Sequence, residues 1–322
     1  MTKTEIIADA LRRFEHLPLR TIARYVLHNY GPLFDGNFES IRSALRYRAG
    51  KVGQYNRGAA RGLIDHKSKG LPPTWRTKVD PYKIKPGCWL VFADVHVPFH
   101  ELSPIEAMFN YAQAESVDGI LMVGDIQDCA SVSYWPSAHK RDFDREIEMF
   151  IDFLDELDIK FPGVTKVYKP GNHEYRIPRY YQARVPELIG LPLQAVNEVL
   201  GLDYRGIEFL DYNQMVLAGK LPIFHGHEFG RLMTAVNPAR GLFLKAKSWA
   251  MCGHCHRTSE HPARNVMGKL LTTWSLGCLC DLSPDYNPFG NDWNWGFAIV
   301  NVEKDGSFEV VNRRILPNGK VV

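Results

Sequence analysis

Three largely apolar segments of strand length recur in this chain, and each is followed by a cluster of polar side chains. The segments are 88–93, 120–123 and 164–168, and amphipathic helical patterns near 104–114 and 143–157 separate them. Continuously apolar strands that alternate with helices are typical of a parallel or mixed sheet that is covered on both faces. Ligands in such folds bind beyond the carboxyl ends of the strands, where the polar clusters would lie. We therefore predict a mixed α/β (α+β) fold with its functional site at that edge.

Length and composition exclude several classes of protein. The 322 residues and the 45% hydrophobic content allow one large buried core and a smaller accessory unit. No stretch reaches the roughly 18 consecutive apolar residues of a membrane span, and the N-terminus lacks the apolar run of a secretory signal. We therefore expect a cytoplasmic chain without a membrane partner. The six cysteines do not indicate a disulfide scaffold in a chain of this length, so we expect them to be reduced.

Positive charge is concentrated in the N-terminal quarter of the chain. Residues 1–86 contain 17 Lys and Arg against 7 Asp and Glu, a net charge of +10, so the remaining residues carry −7. A basic segment joined to a mildly acidic body is the layout expected when the segment meets a polyanion. The distribution predicts a nucleic-acid partner, DNA more than RNA.

A small all-α module is predicted at the N-terminus. Apolar residues at helical spacing indicate helices over 4–16 and 21–30, and Asn37 is a suitable N-cap for a third helix. Arg42 and Arg46 lie four residues apart on the polar face of this third helix, where they could contact nucleic acid. The arrangement resembles a helix-turn-helix module, although the connection before the third helix is longer than the usual turn of that motif. A helical cap with a solvated basic surface is the alternative.

These patterns divide the chain into three parts. Residues 1–65 form the basic helical module, residues 66–87 form a linker rich in Pro, Lys and Gly, and residues 88–322 form the large domain. The polar clusters all belong to the large domain.

Five short polar motifs occur in a fixed order in the large domain. They are 94–96 (Asp-Val-His), 124–128 (Gly-Asp-Ile-Gln-Asp), 171–174 (Gly-Asn-His-Glu), 225–227 (His-Gly-His) and 253–256 (Gly-His-Cys-His). Their oxygen and imidazole ligands are of intermediate hardness, so they suit two ions of Mn, Ni, Fe, Co or Zn better than they suit Ca. Among these metals we favour Mn. Two such ions outweigh the charges of two aspartates, and the resulting positive charge attracts a phosphate group. The motifs therefore predict a dinuclear metal site for phosphate esters.

The ordered motifs resemble those of the calcineurin-like metallophosphoesterases, and the resemblance covers about two-thirds of the chain, from Cys88 to Asn312. It implies a metallophosphoesterase-type β-sandwich with flanking helices. It also implies a metal-dependent phosphoric ester hydrolase, in which a hydroxide between two metal ions attacks phosphorus in line.

The resemblance assigns a role to each motif residue. One ion would be held by Asp94, His96, Asp125 and His256, and the other by Asp125, Asn172, His225 and His254. His173 would contact the phosphate and protonate the leaving oxygen, and Asp128 would orient it. Either His225 or His227 could be the ligand. We prefer His225 because it directly precedes the glycine. His227 would then contact the ligand residues or the substrate. We expect Glu174 to have a structural role.

The segment after the third motif combines arginines with aromatic rings. Arg176, Arg179, Tyr180 and Arg184 could bind phosphates and stack on bases, or they could belong to an ordinary amphipathic surface helix. Together with the basic module, the segment favours a phosphodiesterase or nuclease that acts on nucleic acid. A phosphatase or phosphodiesterase of a small nucleotide or a phosphoprotein is the first alternative, and a DNA-binding adaptor with a vestigial metal site is the second.

Four cysteines allow a different metal site. Cys252, Cys255, Cys278 and Cys280 include a C-x-x-C pair, so a structural zinc bound by four thiolates is conceivable. Against this site, Cys255 lies between two motif histidines and should point away from them. Small buried cysteines are the alternative interpretation.

Overall fold

The computed structural model describes residues 1–50, 79–134, 142–188, 197–234, 236–284 and 290–322. The chain separates into two compact units, Met1–Thr77 and Lys78–Val322. Each unit has a hydrophobic core of its own. In the described parts of both units, no helix is long and apolar enough to cross a lipid bilayer.

Helices make up the described part of the N-terminal unit. They are α1 (Lys3–Arg13), α2 (Leu19–Tyr30), a 3-10 turn (Gly31–Phe34) and α3 (Phe38–Arg48). Their apolar faces meet in one core, which includes Ile6, Ile22, Val26, Ile41 and Leu45. Asn37 caps α3 as predicted, since its Oδ1 accepts a hydrogen bond from the Ser40 N–H at 3.0 Å. The end of the predicted module, 51–65, lies outside the described residues.

Two sheets, each of six described strands, form the body of the larger unit. The strands are β1 (Tyr82–Lys83), β2 (Gly87–Phe92), β3 (Gly119–Val123), β4 (Thr165–Lys169), β5 (Ile207–Phe209), β6 (Val216–Ala218), β7 (Leu221–Phe224), β8 (Ala250–Cys252), β9 (Ser259–Arg264), β10 (Leu270–Ser275), β11 (Gly296–Val302) and β12 (Phe308–Arg314). The helices of this unit include α4 (Leu102–Ala114), α5 (Phe143–Lys160), α6 (Arg176–Arg184) and α7 (Pro238–Ala246). One sheet has the strand order β12-β11-β2-β3-β4-β5, and the other has the order β1-β6-β7-β8-β10-β9.

The first sheet is mixed, as predicted. Strands β2, β3, β4 and β5 run parallel to one another, whereas β11 runs antiparallel to both of its neighbours, β2 and β12. Pairing continues beyond the strands, because the N–H groups of Asp94 and His96 donate to the carbonyl oxygens of Gly124 and Asp125, both at 3.0 Å. The first two motifs are therefore neighbours at the carboxyl edge of the sheet.

Strand β2 shows why the predicted strands are continuously apolar. Leu90 and Phe92 share a core with Met108 of α4 and Phe150 of α5, whereas Val91 packs into a second core between the two sheets. Successive side chains point to opposite faces, and both faces are covered, so the usual alternation of apolar and polar residues disappears. Helix α7 covers the outer face of the second sheet. The predicted β-sandwich with flanking helices is confirmed.

The segment predicted as a linker, 66–87, is in part a strand. The Tyr82 N–H donates to the Met215 carbonyl at 2.9 Å, and the Ile84 N–H donates to the Leu217 carbonyl at 3.1 Å, in parallel pairing with β6. Prolines flank this two-residue strand at the edge of the sheet, where a missing N–H donor removes no ladder hydrogen bond. The end of the linker is therefore corrected to a point before Tyr82, and the start of the segment lies outside the described residues.

Candidate metal centre

Five motif residues share an uncommon backbone conformation. Their φ angles are positive, at 58° for Asp94, 54° for His96, 52° for Asp125, 68° for His254 and 56° for His256. The left-handed region is strained for residues other than glycine, and residues held there cluster at functional sites. All five follow β2, β3 or β8 within a few residues, so the chain turns sharply where these strands end.

Two motif glycines permit the strand ends to approach closely. A Cβ atom at Gly124 would lie 2.5 Å from Nδ1 of His225, and a Cβ atom at Gly171 would collide with the carboxylate of Asp125. Gly124 also has a φ of 84°, which a residue with a side chain rarely adopts. Glycine at these positions is therefore needed to bring Asp125 and His225 together.

Asp94, His96 and His256 converge in the first half of the site. Oδ1 of Asp94 lies 3.2 Å from Nε2 of His256 and 3.9 Å from Nε2 of His96, and the two imidazole nitrogens are 3.1 Å apart. Oδ2 of Asp94 accepts a hydrogen bond from the His254 N–H at 2.7 Å, whereas Oδ1 is buried and makes no hydrogen bond among the described residues. A divalent cation would satisfy a buried oxygen that faces two imidazole nitrogens in this way.

Asp125, Asn172 and His225 converge in the second half. Nε2 of His225 lies 3.0 Å from Oδ2 of Asp125 and 3.2 Å from Oδ1 of Asn172. Nδ1 of His225 donates to the Val123 carbonyl at 2.7 Å, so Nε2 is the ring nitrogen left for a metal. This backbone contact fixes both the tautomer and the orientation of the ring.

Asp125 belongs to both halves. Ligand atoms of Asp94, His96 and Asp125 lie within 4.8 Å of one another, and so do those of Asp125, His225 and His254. A carboxylate shared by two such groups has the position that is needed to bridge two ions. Carboxylate oxygens, an amide oxygen and imidazole nitrogens together fit two divalent ions of intermediate hardness.

Buried charges shift the pKa values of these ligands in opposite directions. Burial by itself raises the pKa of Asp125, but His173 and His225 outweigh it and hold that pKa well below its usual range. Burial by itself lowers the pKa values of His225 and His256, yet Asp125 raises the first to about 9 and Asp94 raises the second to about 10. Two imidazolium charges therefore compensate the carboxylates until cations displace the protons.

Asp128 connects the ligands to the predicted proton donor. Its Oδ2 accepts hydrogen bonds from Nδ1 of His96 at 2.9 Å and from Nδ1 of His173 at 3.0 Å, and its Oδ1 accepts one from Nη1 of Arg176 at 2.8 Å. Burial raises the pKa of Asp128, but the hydrogen bonds from His173 and His96 outweigh it and hold the pKa below its usual range. The ionised carboxylate therefore makes Nδ1 of both rings a donor and leaves each Nε2 for metal or substrate.

His173 lies between the bridging carboxylate and a guanidinium group. Its Nε2 is 3.8 Å from Oδ2 of Asp125 and 3.0 Å from Nη2 of Arg176. Burial lowers the pKa of His173, but Asp125 and Asp128 outweigh burial and raise it, with Arg176 opposing them. Because a guanidinium only donates, Nε2 can carry a proton only when Arg176 turns away from it.

Two glutamates support the motif loops from behind. The buried Glu174 carboxylate accepts four backbone N–H groups and one hydroxyl, and therefore has the structural role expected for it. No motif indicated Glu228, which accepts the Gly226 N–H at 2.6 Å and the His225 N–H at 3.3 Å and pairs with the buried Lys169 at 2.9 Å. Burial raises the pKa of Glu228, but Lys169 outweighs it and lowers the pKa to about 2.

Residues 90–257 match the sequence model of the calcineurin-like phosphoesterase family, and this range is more than half of the chain. The chain belongs to the calcineurin-like phosphoesterases. All five motifs lie inside the matched range, which confirms the resemblance found in the sequence. The protein is therefore a metal-dependent phosphoesterase with a two-metal type of site.

Two bacteriophage proteins are similar to most of this phosphoesterase. The gene 54 protein of Mycobacterium phage L5 is 24% identical over 249 residues, which cover 72% of this chain and 97% of the phage protein. The gene 54 protein of Mycobacterium phage D29 is 25% identical over 227 residues, which cover 66% of this chain and 88% of the phage protein. Neither name describes a substrate.

Solved structures of phosphoesterases are more distant. A dimetal phosphatase from Danio rerio is 13% identical, with a TM-score of 0.37, and the match covers 71% of this chain and 96% of that one. YfcE, a phosphoesterase from E. coli, is 16% identical, with a TM-score of 0.32, and the match covers 70% of this chain and 98% of that one. These TM-scores are too low to infer any detail of the site from the two structures.

The fourth motif of the phosphoesterase holds two histidines with different surroundings. His225 contacts Asp125 and Asn172, whereas the ring of His227 lies 5.3 Å from the ring of His225 and joins no ligand group among the described residues. Burial lowers the pKa of His227, and burial with the charge of His225 lowers the pKa of His254 to about 4. His254 is therefore neutral at pH 7 and able to ligate.

The cysteines form no four-thiolate site in the described structure. Ligand groups there include Cys280 with His96 and His256, and none unites Cys252, Cys255, Cys278 and Cys280. Sγ of Cys280 lies 3.9 Å from Nδ1 of His256, and the ring of Trp293 lies 4.1 Å from the His256 ring. Neither neighbour of His256 could be predicted from the sequence, because no spacing rule relates Cys280 or Trp293 to the last motif.

The predicted substrate residues are placed differently from one another. Arg176 contacts His173 and Asp128, whereas Arg179, Tyr180 and Arg184 are exposed on α6. In the N-terminal unit, Arg42 pairs with Glu39 at 3.0 Å, and Arg46 is exposed.

Proposed function

We propose that this phosphoesterase hydrolyses phosphodiester bonds in nucleic acid. The proposal is carried by the row of Arg176, Tyr180 and Arg184 on α6, which begins beside His173. These residues are four apart, so they share one side of the helix, with a rise of about 6 Å between neighbours. Guanidinium groups and an aromatic ring in one row suit a strand of alternating phosphates and bases.

The site residues divide the chemistry between them. Two divalent ions in this ligand set would stabilise negative charge on the phosphate and generate the nucleophile from water. Asp128 orients His173 by its Nδ1, so Nε2 points toward the bridging Asp125. Once Nη2 of Arg176 has moved off Nε2, His173 can carry a proton there and donate it to the leaving oxygen. The chain itself need form no covalent bond with the substrate.

The charge of the N-terminal unit supports the same substrate class. On α2, Arg20, Arg24 and His28 are exposed and follow one another at intervals of four residues, and Arg46 is exposed on α3. Residues 51–86, most of which lie outside the described part of the chain, contain 9 Lys and Arg against 2 Asp and Glu. Such charge gives sequence-independent, salt-dependent contact with phosphate backbones.

An activity panel tests the proposal. Protein reconstituted in turn with Mn, Ni, Zn, Co and Mg is assayed on bis-p-nitrophenyl phosphate, p-nitrophenyl phosphate, DNA, RNA, cyclic nucleotides and a phosphopeptide. We expect faster hydrolysis of the diester than of the monoester, and cleavage of DNA with Mn among the active metals. Turnover confined to the monoester, a small nucleotide or the phosphopeptide would contradict a nucleic-acid substrate, and DNA binding without any turnover would favour an adaptor.

Matched variants show whether the activity belongs to this site. His173→Ala should lose most turnover, because it removes the group placed beside the bridging carboxylate. Asp152→Asn changes a carboxylate that is exposed on α5 and should retain full turnover. Equal activity in the two variants would assign the hydrolysis to a contaminant.

A further inference from the structure

Arg176 makes contacts that tie it to the site and still leave donors available. An arginine has five N–H donors and no acceptor. Nη1 donates to Oδ1 of Asp128 at 2.8 Å and to the Asp128 carbonyl at 2.9 Å, and Nη2 lies 3.0 Å from Nε2 of His173. Within the described residues, the other two N–H groups of this guanidinium have no hydrogen-bond partner.

The start of α6 fixes where this guanidinium lies. The Arg176 N–H donates to the His173 carbonyl at 2.9 Å, so the helix begins directly at the third motif. Ile177, the next residue, is buried and anchors the first turn. The Arg176 side chain is 21% exposed, so it is largely enclosed but still open to a ligand from solvent.

Lys169, a buried cation on β4, has its charge neutralised. Nζ of Lys169 lies 2.9 Å from Oε1 of Glu228 and donates to the Tyr212 carbonyl at 3.2 Å. Lys169 is therefore bound elsewhere, whereas Arg176 contacts both Asp128 and His173.

We infer that Arg176 binds an oxygen of the scissile phosphate, an inference that rests on the proposed phosphoesterase function of this site. Nε2 of His173 can accept the hydrogen bond from Arg176 or face a substrate oxygen, but it cannot do both. When a phosphate ester takes the place of Nη2, the freed N–H groups face that same ester. Asp128 meanwhile holds the guanidinium in position, so the phosphate is gripped where its leaving oxygen meets His173.

Arg176→Ala and Arg176→Lys test this inference, with Arg264→Ala, at an exposed position on the edge strand β9, as the matched control. Binding of inorganic phosphate to the Mn-loaded protein is measured by calorimetry, kcat and KM are measured on bis-p-nitrophenyl phosphate, and the metal content of every variant is determined. We expect both Arg176 variants to weaken phosphate binding and raise KM by roughly 10- to 100-fold, since hydrogen bonds to charged groups have that strength. Arg264→Ala should bind phosphate like the parent protein, and millimolar guanidinium should partly restore phosphate binding and turnover in Arg176→Ala.

Each outcome decides between alternatives. Unchanged phosphate binding and KM in both variants, or a loss confined to kcat without rescue by guanidinium, would overturn the inference in favour of a residue that only orients Asp128. A parent protein that binds no phosphate would overturn it as well. If Arg176→Ala binds less metal than the parent protein, the phosphate binding and KM of Arg176→Lys decide the question, because lysine keeps the positive charge beside Asp128. Weakened phosphate binding without cleavage of any polynucleotide would uphold Arg176 and refute the nucleic-acid substrate.

Discussion

Glu174 accepts a hydrogen bond from the backbone N–H of Asp125 at 3.0 Å, so a buried carboxylate holds in place the aspartate that belongs to both candidate ligand groups. The same carboxylate also receives the N–H groups of the neighbouring Ile126 and Gln127 and of Gly171 in the third motif. Two loops from different strands are thereby joined into one rigid unit. This arrangement explains how Asp125 is held in its left-handed conformation.

Glu174→Gln should therefore destabilise the protein and weaken its metal site. The amide directs an NH₂ group at backbone donors and leaves some of them unsatisfied, which should lower the free energy of unfolding by about 2–4 kcal/mol. Metal affinity should fall by roughly 10- to 100-fold, as when other groups that orient ligands are lost. Denaturant unfolding and metal titration measure the two effects. The exposed Glu187→Gln is the control, and equal stability of the two variants would contradict the role of Glu174.

Asp125→Asn should reduce the number of metal ions bound, because Asp125 belongs to both ligand groups. Replacing the carboxylate by an amide removes the negative charge shared by two cations, so we expect fewer than two ions per chain and loss of nearly all hydrolysis. Metal analysis after gel filtration gives the stoichiometry, and Asp152→Asn on α5 serves as the control. Two tightly bound ions in Asp125→Asn would show that the residue does not bridge them.

Metal binding should release protons at neutral pH. The pKa values of His225 and His256 are raised to about 9 and about 10, so both rings are protonated at pH 7, whereas a metal binds only neutral imidazole. Loading both ions at pH 7 should therefore release about two protons, and affinity should rise with pH until it levels off near pH 10.

Calorimetry in buffers of different ionisation enthalpy measures this release. His225→Gln should release about one proton fewer, and His16→Gln, at an exposed position in the N-terminal unit, should match the parent protein. A binding enthalpy that is independent of the buffer would contradict the prediction.

Neutralising the exposed arginines of the N-terminal unit should weaken binding to nucleic acid and make it less dependent on salt. Arg20, Arg24 and Arg46 are exposed, and replacing all three by Gln should reduce the slope of log affinity against log salt by roughly 2 to 3, at about 0.9 per duplex phosphate lost. Fluorescence anisotropy on labelled DNA over a range of salt concentrations gives the slope. The control is Arg12→Gln with Arg13→Gln, since both arginines already pair with Asp9. Equal slopes in the two variants would place the contact elsewhere.

Local patterns predicted the elements and the family well. The run Leu90 to Phe92 is apolar because both faces of β2 are covered, and that single property distinguished a buried strand from a half-exposed one. Asn37 was recognised as an N-cap because capping depends on residues only three positions apart. The linker was placed too far along the chain, because proline is tolerated both in extended connections and on edge strands.

By itself, the sequence determined the mixed α/β class, the family and the residue types that meet at the metal centre, because each depends on short-range periodicity or on motifs of a few residues. Only the tertiary structure decided how those motifs are held and what surrounds them. Glu228 pairs with Lys169, and Arg176 reaches the carbonyl and carboxylate of Asp128, across separations of more than forty residues. Such contacts leave no periodic signal, because they depend on which strand ends become neighbours when the sheets and their cores assemble.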